Sequence, residues 1–281
     1  MKKISILLML TMTLLLAACG QDTTSEAQGS TSTETKTDTS KTSKEPLTTQ
    51  EFTQMLSNPK NFKGSYVEYV GKVFTVEKDE DGTYLQVWAD PEKSDNNTIV
   101  AIQDPNFNVT DEDFIIIKGT VRDEFKGENA FGAELILPVI DAESYEVADY
   151  ITAVSPTLHE LSVNQEQDQH GYIVNVEKIE FGKKDTRVYV SIKNESDSTI
   201  NFWSFDAKLV QGGKQFDVDY AWEANYPELQ SDIRPGVTSE GILSFPTLDF
   251  EGGEAIKLYL NGSSDDWDVT IEEFLFDIEI K

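Results

Sequence analysis

The stretch FIIIKGTV, residues 114–121, carries the strongest fold signal in this sequence. Its first four residues are apolar, and its β-branched residues are typical of a strand. Gly119 lies inside it, and a glycine inside a strand marks a bulge or a sharp bend. The pattern therefore predicts a buried strand that bends.

The residues around this stretch predict one short helix and further strands. Thr48 and Glu51 have the spacing of a capping box and predict a short helix with one apolar face. Gly71 lies inside another predicted strand and, like Gly119, would permit the bends that close a small barrel. The predicted strands of this half are 66–76, 84–88, 98–102, 114–121 and 133–140.

One helix and five strands over residues 47–153 resemble an OB-fold barrel. The phrases that carry the resemblance are Gly71-Lys72-Val73, Ile117-Lys118-Gly119-Thr120-Val121 and the loop Gly127–Gly132. OB-folds that bind nucleic acid present basic and aromatic residues on one face. This half is acidic instead, so the resemblance implies a fold and brings no nucleic-acid partner with it.

Residues 154–281 predict a β-sandwich, because many short strands alternate with turn signals and no long helical period appears. The predicted fold class is therefore all-β throughout. About eight strands are predicted, at 158–163, 172–181, 186–193, 199–210, 214–222, 238–245, 255–260 and 269–280.

This second half resembles the immunoglobulin-like domain of exported lipoproteins of Gram-positive bacteria. The resemblance is carried by residues 188–194, the Phe202-Trp203 pair, the turn Arg234-Pro235-Gly236 and the strand 241–245. It implies an immunoglobulin-like sandwich without the paired cysteines of antibody domains. It implies no particular chemistry.

The amino terminus resembles the lipobox of bacterial lipoproteins. Lys2 and Lys3 precede an apolar segment, 4–16, that is too short for a comfortable membrane span. Ala17 and Ala18 then precede Cys19, the only cysteine of the chain. The resemblance implies a signal peptide at 1–18, lipidation of Cys19 and a place on the extracytoplasmic face of the cell membrane. The alternative is a plain secretory signal, but that would leave one unpaired thiol in an oxidising compartment.

A polar tether is predicted between this anchor and the β domains, at residues 19–46. Half of residues 20–45 are Ser or Thr, and the segment has no aromatic residue, Leu, Ile or Val. Such a composition buries too little apolar surface to offset the entropy of ordering. We therefore expect a disordered stalk.

The formal net charge of −28 restricts the partners. Acidic residues outnumber basic ones in both β halves, which argues against nucleic acid and against lying flat on an anionic membrane. Two interpretations remain: solubility and repulsion from other anionic surface components, or attraction of cations and basic peptides.

No catalytic, metal or cofactor motif emerges. His159 and His170 have no nucleophile motif beside them and no second His or Cys at zinc spacing. The acidic run Glu77–Gly82 has a calcium-loop spacing in part, but Trp88 stands where the bidentate Glu is required, so a hairpin turn is predicted. Carboxylate pairs for hydrolysis cannot be singled out among 51 acidic residues.

The aromatic residues are the remaining candidates for binding. Trp88, Trp203, Trp222 and Trp267 are each more often core than surface, but several exposed together would mark a partner or sugar surface. The binding candidates are Phe131, Trp203, Trp222 and Tyr226. The sequence thus favours a non-catalytic, membrane-anchored binding protein for an envelope protein, peptide or glycan. The alternatives are a carboxylate-dependent surface hydrolase and a weak Ca²⁺-responsive module.

Overall fold

A computed structural model describes residues 45–128, 132 and 134–280. The predicted signal peptide, Cys19, nearly all of the tether and the candidate Phe131 lie outside these described residues. Within them, no helix is both long and apolar enough to cross a membrane.

The first half opens with the predicted capping box, which is confirmed. The Thr48 hydroxyl accepts from the Glu51 N–H at 3.3 Å, and the Glu51 carboxylate accepts from the Thr48 N–H at 3.0 Å. These bonds satisfy free donors at the start of helix α1 (Thr49–Ser57), which buries Met55. A short 3₁₀ helix, Pro59–Phe62, follows.

Five strands then close into a barrel in the order β1-β2-β3-β5-β4. The β3 and β5 pair is parallel and the other pairs are antiparallel. The strands enclose an apolar core that also takes in Met55 of α1. Their bounds are β1 (Tyr66–Lys78), β2 (Thr83–Asp90), β3 (Asp95–Ile102), β4 (Phe114–Glu128) and β5 (Glu134–Ala148).

Two glycines stand where the backbone of a neighbouring barrel strand leaves no room for a side chain. A Cβ at Gly71 would lie 2.9 Å from the Trp88 carbonyl oxygen, and one at Gly119 would lie 2.3 Å from that of Asp141. Gly119 also sits at a register shift in the pairing of β4 with β5. These positions therefore exclude any side chain, as barrel closure requires.

The second half forms three sheets, of orders β13-β8-β7-β6, β11-β10-β14-β16 and β12-β9-β15. Strands from all three sheets contribute to one apolar core, and the predicted all-β class is confirmed. After α2 (Tyr150–Ala153) the strands are β6 (Thr157–Gln169), β7 (Tyr172–Gly182), β8 (Asp185–Asn194), β9 (Ile200–Phe202), β10 (Lys208–Gln211), β11 (Lys214–Asp217), β12 (Asp232–Ile233), β13 (Thr238–Pro246), β14 (Ile256–Leu260), β15 (Gly262–Ser264) and β16 (Phe274–Ile278).

Several predicted strands of this half are wrong in extent: the one at 158–163 runs on to Gln169, and the one at 269–280 begins only at Phe274. The strand predicted at 199–210 is broken by a 3₁₀ turn, Ser204–Asp206, in which the Asp206 N–H donates to the Trp203 carbonyl. The strand predicted at 214–222 ends at Asp217, because the chain there leaves β10 and joins the edge of β13. At 199–210 a local turn, and at 214–222 a tertiary hydrogen bond from Asp219 to Ser244, overrode a local apolar pattern.

Each half has its own apolar core, and a smaller cluster joins them. This joining cluster contains Phe114 of β4, Tyr150 and Ala153 of α2, and Val154, with Ala224 and Tyr226 packed against it. The predicted domain boundary between residues 153 and 154 falls within this cluster and stays a prediction.

Candidate ligand-binding cleft

A loop at residues 218–229, here the cleft loop, folds along the edge of β13. The Asp219 N–H donates to the Ser244 carbonyl at 2.9 Å, and the Ile242 N–H donates to the Pro227 carbonyl at 2.9 Å. The loop is therefore tied to β13 at both ends. It covers a strand edge that would otherwise present unpaired backbone groups.

Gly241 of β13 makes this close approach possible. A Cβ at Gly241 would lie 2.6 Å from the Leu229 backbone nitrogen and 2.9 Å from the Glu228 carbonyl carbon. Both contacts are with backbone, which cannot move aside cheaply. Gly241 thus allows the end of the cleft loop to lie against the strand.

The rings of Tyr220 and Trp222 are exposed on the outside of the loop. The Trp222 N–H donates to the Tyr220 carbonyl at 2.9 Å, a tight turn that precedes the 3₁₀ helix Trp222–Ala224. The two rings stack with centroids 5.2 Å apart and planes 18° from parallel. Trp222 is 77% exposed and Tyr220 is 47% exposed. The pair therefore exposes a large, stacked aromatic surface to solvent.

The rings stand over a cleft of about 420 Å³. Most of its lining comes from the cleft loop, and the rest from Ile242, Leu243 and Ser244 of β13 and from Ser204. The side chains of Asp219 and Glu228 are exposed and have no hydrogen-bond or ion-pair partner in the described structure. The Ser244 hydroxyl is buried and has no partner among the described residues. The cleft thus combines aromatic surface with polar groups that a ligand could pair.

Tyr226 sets the inner wall of the cleft. Its hydroxyl donates to Asp185 at 2.7 Å and accepts from Arg187 at 3.4 Å. Burial first, and the bond to Asp185 second, raise the pKa of this hydroxyl well above its usual range. The hydroxyl stays protonated and holds the ring in place, so Tyr226 positions the cleft rather than offering a free polar group.

Arg187, beneath this wall, is fully buried. It donates to Glu180 at 3.1 Å, to Asp185 at 2.9 Å, to the Ser155 carbonyl at 2.8 Å and to the Thr157 hydroxyl at 2.7 Å. Burial acts to lower its pKa, but the bond with Tyr226 and the charges of Asp185 and Glu180 outweigh burial and raise it. Paired in this way, the cation links β7, β8, the chain after α2 and the cleft loop.

The cleft loop also contacts the barrel. Lys72 of β1 forms ion pairs with Glu223 of the loop and, at 2.5 Å, with Glu112. The Tyr226 ring meets the Tyr150 ring edge to face, with centroids 6.0 Å apart. Tyr150 in turn packs edge to face on Phe114 at 5.5 Å. The back of the loop is therefore held by the first half of the chain.

The four sequence candidates have different outcomes. Trp222 and Tyr226 lie together at the cleft, whereas Phe131 falls outside the described residues. Trp203 is 39% exposed and precedes Ser204, which lines the cleft. Sequence reasoning missed Tyr220, although its two-residue spacing from Trp222 was a usable signal.

The other candidates have structural surroundings. His159 of β6 stacks on Phe250, with centroids 4.2 Å apart, and His170 lies in the turn between β6 and β7. The Asp79 carboxylate accepts from the N–H groups of Asp81 and Gly82, so the predicted hairpin turn is confirmed. Within the described part of the chain, no group of three or more His, Cys, Asp or Glu is arranged to hold a metal ion.

No family model matches the chain, and no curated protein matches it. Among solved structures it is similar to one described as the crystal structure of a functionally unknown protein from Listeria monocytogenes EGD-e. The two are 14% identical with a TM-score of 0.32, and the match covers 45% of this chain and 88% of that chain. A likeness this distant carries no argument about fold or function.

Proposed function

We propose that this chain is a lipid-anchored protein of the extracytoplasmic face that binds an envelope component through the cleft, without catalysis. The observation that carries the binding function is the stacked Tyr220 and Trp222 pair, exposed over a cleft. Large aromatic side chains contribute much of the energy of interfaces when a partner covers them. A partner that covered the pair would remove this aromatic surface from water, which favours binding.

The carboxylates in the cleft support binding better than hydrolysis. A carboxyl acting as general acid needs an apolar site that raises its pKa. Asp219 and Glu228 are both exposed. They are placed to pair with a ligand, and neither is buried in the apolar site that a general acid needs.

The proposed location at the membrane is supported by the lipobox resemblance at Cys19. Two acyl chains next to the lipidated cysteine would satisfy the two-signal requirement for stable anchoring. On growth with labelled palmitate, we expect label in the wild-type chain and none in its Cys19→Ala variant. A wild-type chain that carries no label and stays in the aqueous phase of a detergent partition would overturn the proposed membrane location.

The binding function is tested by capture of envelope components on the full chain held in detergent micelles. We expect Trp222→Ala to lose an envelope component that the wild type retains. Trp267→Ala is the matched control, because Trp267 is fully exposed and does not line the cleft. Equal capture by the wild type and both variants would show that the cleft is not the binding surface.

A further inference from the structure

We infer that the cleft takes the basic side chain of a lysine or arginine from a partner polypeptide. The apolar neighbours of that side chain lie over Trp203 and Phe205. This inference rests on the proposed binding function and assigns it a ligand class. It is carried by the charges and the aromatic surface of the cleft and by the exposed aromatic residues on either side of Ser204 in the chain.

The charges in the cleft are of one sign. Asp219 and Glu228 line it, and no Lys, Arg or His is among its described lining residues. Neighbouring Glu223 is already paired with Lys72, which it shares with Glu112, but the two lining carboxylates have no protein partner in the described structure. An incoming cation would therefore pair with carboxylates that are free, at no cost in broken protein ion pairs.

The aromatic pair favours the same kind of ligand. A cation over the face of a tryptophan or tyrosine is attracted by the negative face of the ring. Tyr220 covers one face of Trp222, and the ring remains 77% exposed. Aromatic faces beside free carboxylates suit an ammonium or guanidinium group better than a neutral sugar, whose hydroxyls can donate hydrogen bonds to the carboxylates but bring no charge to pair with them.

The surroundings favour a polypeptide over a small free cation. Ser204 lines the cleft, and its two chain neighbours are exposed aromatic residues, Trp203 at 39% and Phe205 at 66%. A small cation would leave this apolar surface in water. A peptide whose basic residue is flanked by apolar residues can occupy the cleft and also cover Trp203 and Phe205.

Ser244 supplies an additional polar group. It lines the cleft, is 6% exposed, and its hydroxyl lacks a partner among the described residues. A buried hydroxyl without a partner destabilises the site. A ligand with several N–H donors, such as a guanidinium or a peptide backbone, can offset that cost.

The test compares two peptides that differ in charge alone, on the full chain in detergent micelles. The probes are acetyl-Leu-Arg-Leu-amide and the same peptide with neutral citrulline in place of arginine. By isothermal titration calorimetry we expect the arginine peptide to bind about tenfold more tightly, and rising salt to shrink the difference.

Three variants test whether the peptide binds in the cleft. Glu228→Gln and Asp219→Asn are each expected to weaken binding of the arginine peptide about threefold and to leave the citrulline peptide unchanged. Asp197→Asn is the control, because Asp197 is an exposed carboxylate that does not line the cleft. It is expected to bind both peptides as the wild type does.

Three results would overturn the inference: equal affinity for the two peptides, binding of tetramethylammonium as tight as that of the arginine peptide, or tighter binding of a neutral chito-oligosaccharide. The proposed function fails separately. If Trp222→Ala loses its envelope component while the peptides bind equally, the cleft binds but not through charge. If Trp222→Ala captures as the wild type does, the binding function itself is wrong.

Discussion

Arg187 shows how one residue organises the inner wall of the cleft. Its guanidinium is fully buried between Glu180 and Asp185 and also bonds Tyr226 of the cleft loop. Replacing it with methionine would leave two carboxylates buried with one cation fewer. We expect Arg187→Met to lower the free energy of unfolding by about 3–5 kcal/mol, measured by urea denaturation.

The control for this variant is Lys193→Met, on the same strand. Lys193 pairs with Glu195, and both side chains are about half exposed. We expect this loss to be below about 1 kcal/mol, because water screens an exposed pair. Similar losses for the two variants would show that the buried network contributes little to stability.

Glu180 makes the same network sensitive to acid. Burial acts to raise its pKa, but hydrogen bonds from Lys178 and Thr157 and the charges of Lys178 and Arg187 outweigh burial and lower it. A carboxyl with a lowered folded pKa stabilises the fold above its unfolded pKa. That stability is lost as the pH falls through the folded value.

We therefore expect the wild type to lose stability more steeply than Glu180→Gln does as the pH falls below the ordinary pKa of a glutamic acid. Urea unfolding at a series of pH values measures the two slopes. Glu160→Gln removes the exposed partner of the same Lys178 and should change the slope less. If Glu180→Gln keeps the full wild-type slope, Glu180 is not the group that titrates.

The β6 strand closes the sandwich with a row of glutamines. Gln165, Gln167 and Gln169 alternate along β6, so they point to one side of it. Their side-chain amides donate to the carbonyls of Asp277, Leu275 and Glu272 at 3.1, 2.6 and 3.0 Å. The β6 and β16 strands are edges of different sheets. The glutamines therefore cover the backbone edge of β16 and join the two layers.

Removing the middle amide should loosen this closure. We expect Gln167→Ala to lower the free energy of unfolding by about 1 kcal/mol. Amide hydrogen exchange in β16 should become faster than in the wild type. Gln215→Ala on β11 is the control, since its amide contacts only the Asp217 side chain on the same strand. Unchanged exchange in β16 would show that water replaces the glutamine without cost.

In the molecule as a whole, Tyr150 joins the two halves through its ring. The ring meets Phe114 of the barrel on one side and Tyr226 of the cleft loop on the other. Each half has its own core, so losing this contact need not unfold either. We expect differential scanning calorimetry to show one transition for the wild type and two for Tyr150→Ala, because the halves would no longer stabilise each other.

Tyr150→Phe is the control for that experiment. It keeps both ring contacts and loses only the hydroxyl bond to Glu92, at 3.3 Å. We expect it to unfold as the wild type does. A single transition for Tyr150→Ala would contradict the coupling between the halves. Two transitions for Tyr150→Phe would show that the coupling depends on the hydroxyl and not on the ring.

The local features of this fold were readable from the chain. The capping box of α1 joins Thr48 to Glu51, three residues apart, so spacing alone predicts it. Alternating patterns and turn residues likewise predicted the barrel strands and most sandwich strands. The short strands β12 and β15 were missed, because segments of two and three residues show no period.

The cleft depends on residues that are distant in sequence. Asp219 meets Ser244, Pro227 meets Ile242, and Lys72 reaches Glu223 across 151 positions. The sequence indicated Trp222 and Tyr226 as aromatic candidates, because aromatic residues at the start of a loop are visible in any chain. That they enclose one cleft with two free carboxylates follows only from the folded arrangement. Long-range contacts form from the packing of whole elements, and no local pattern of residues specifies them.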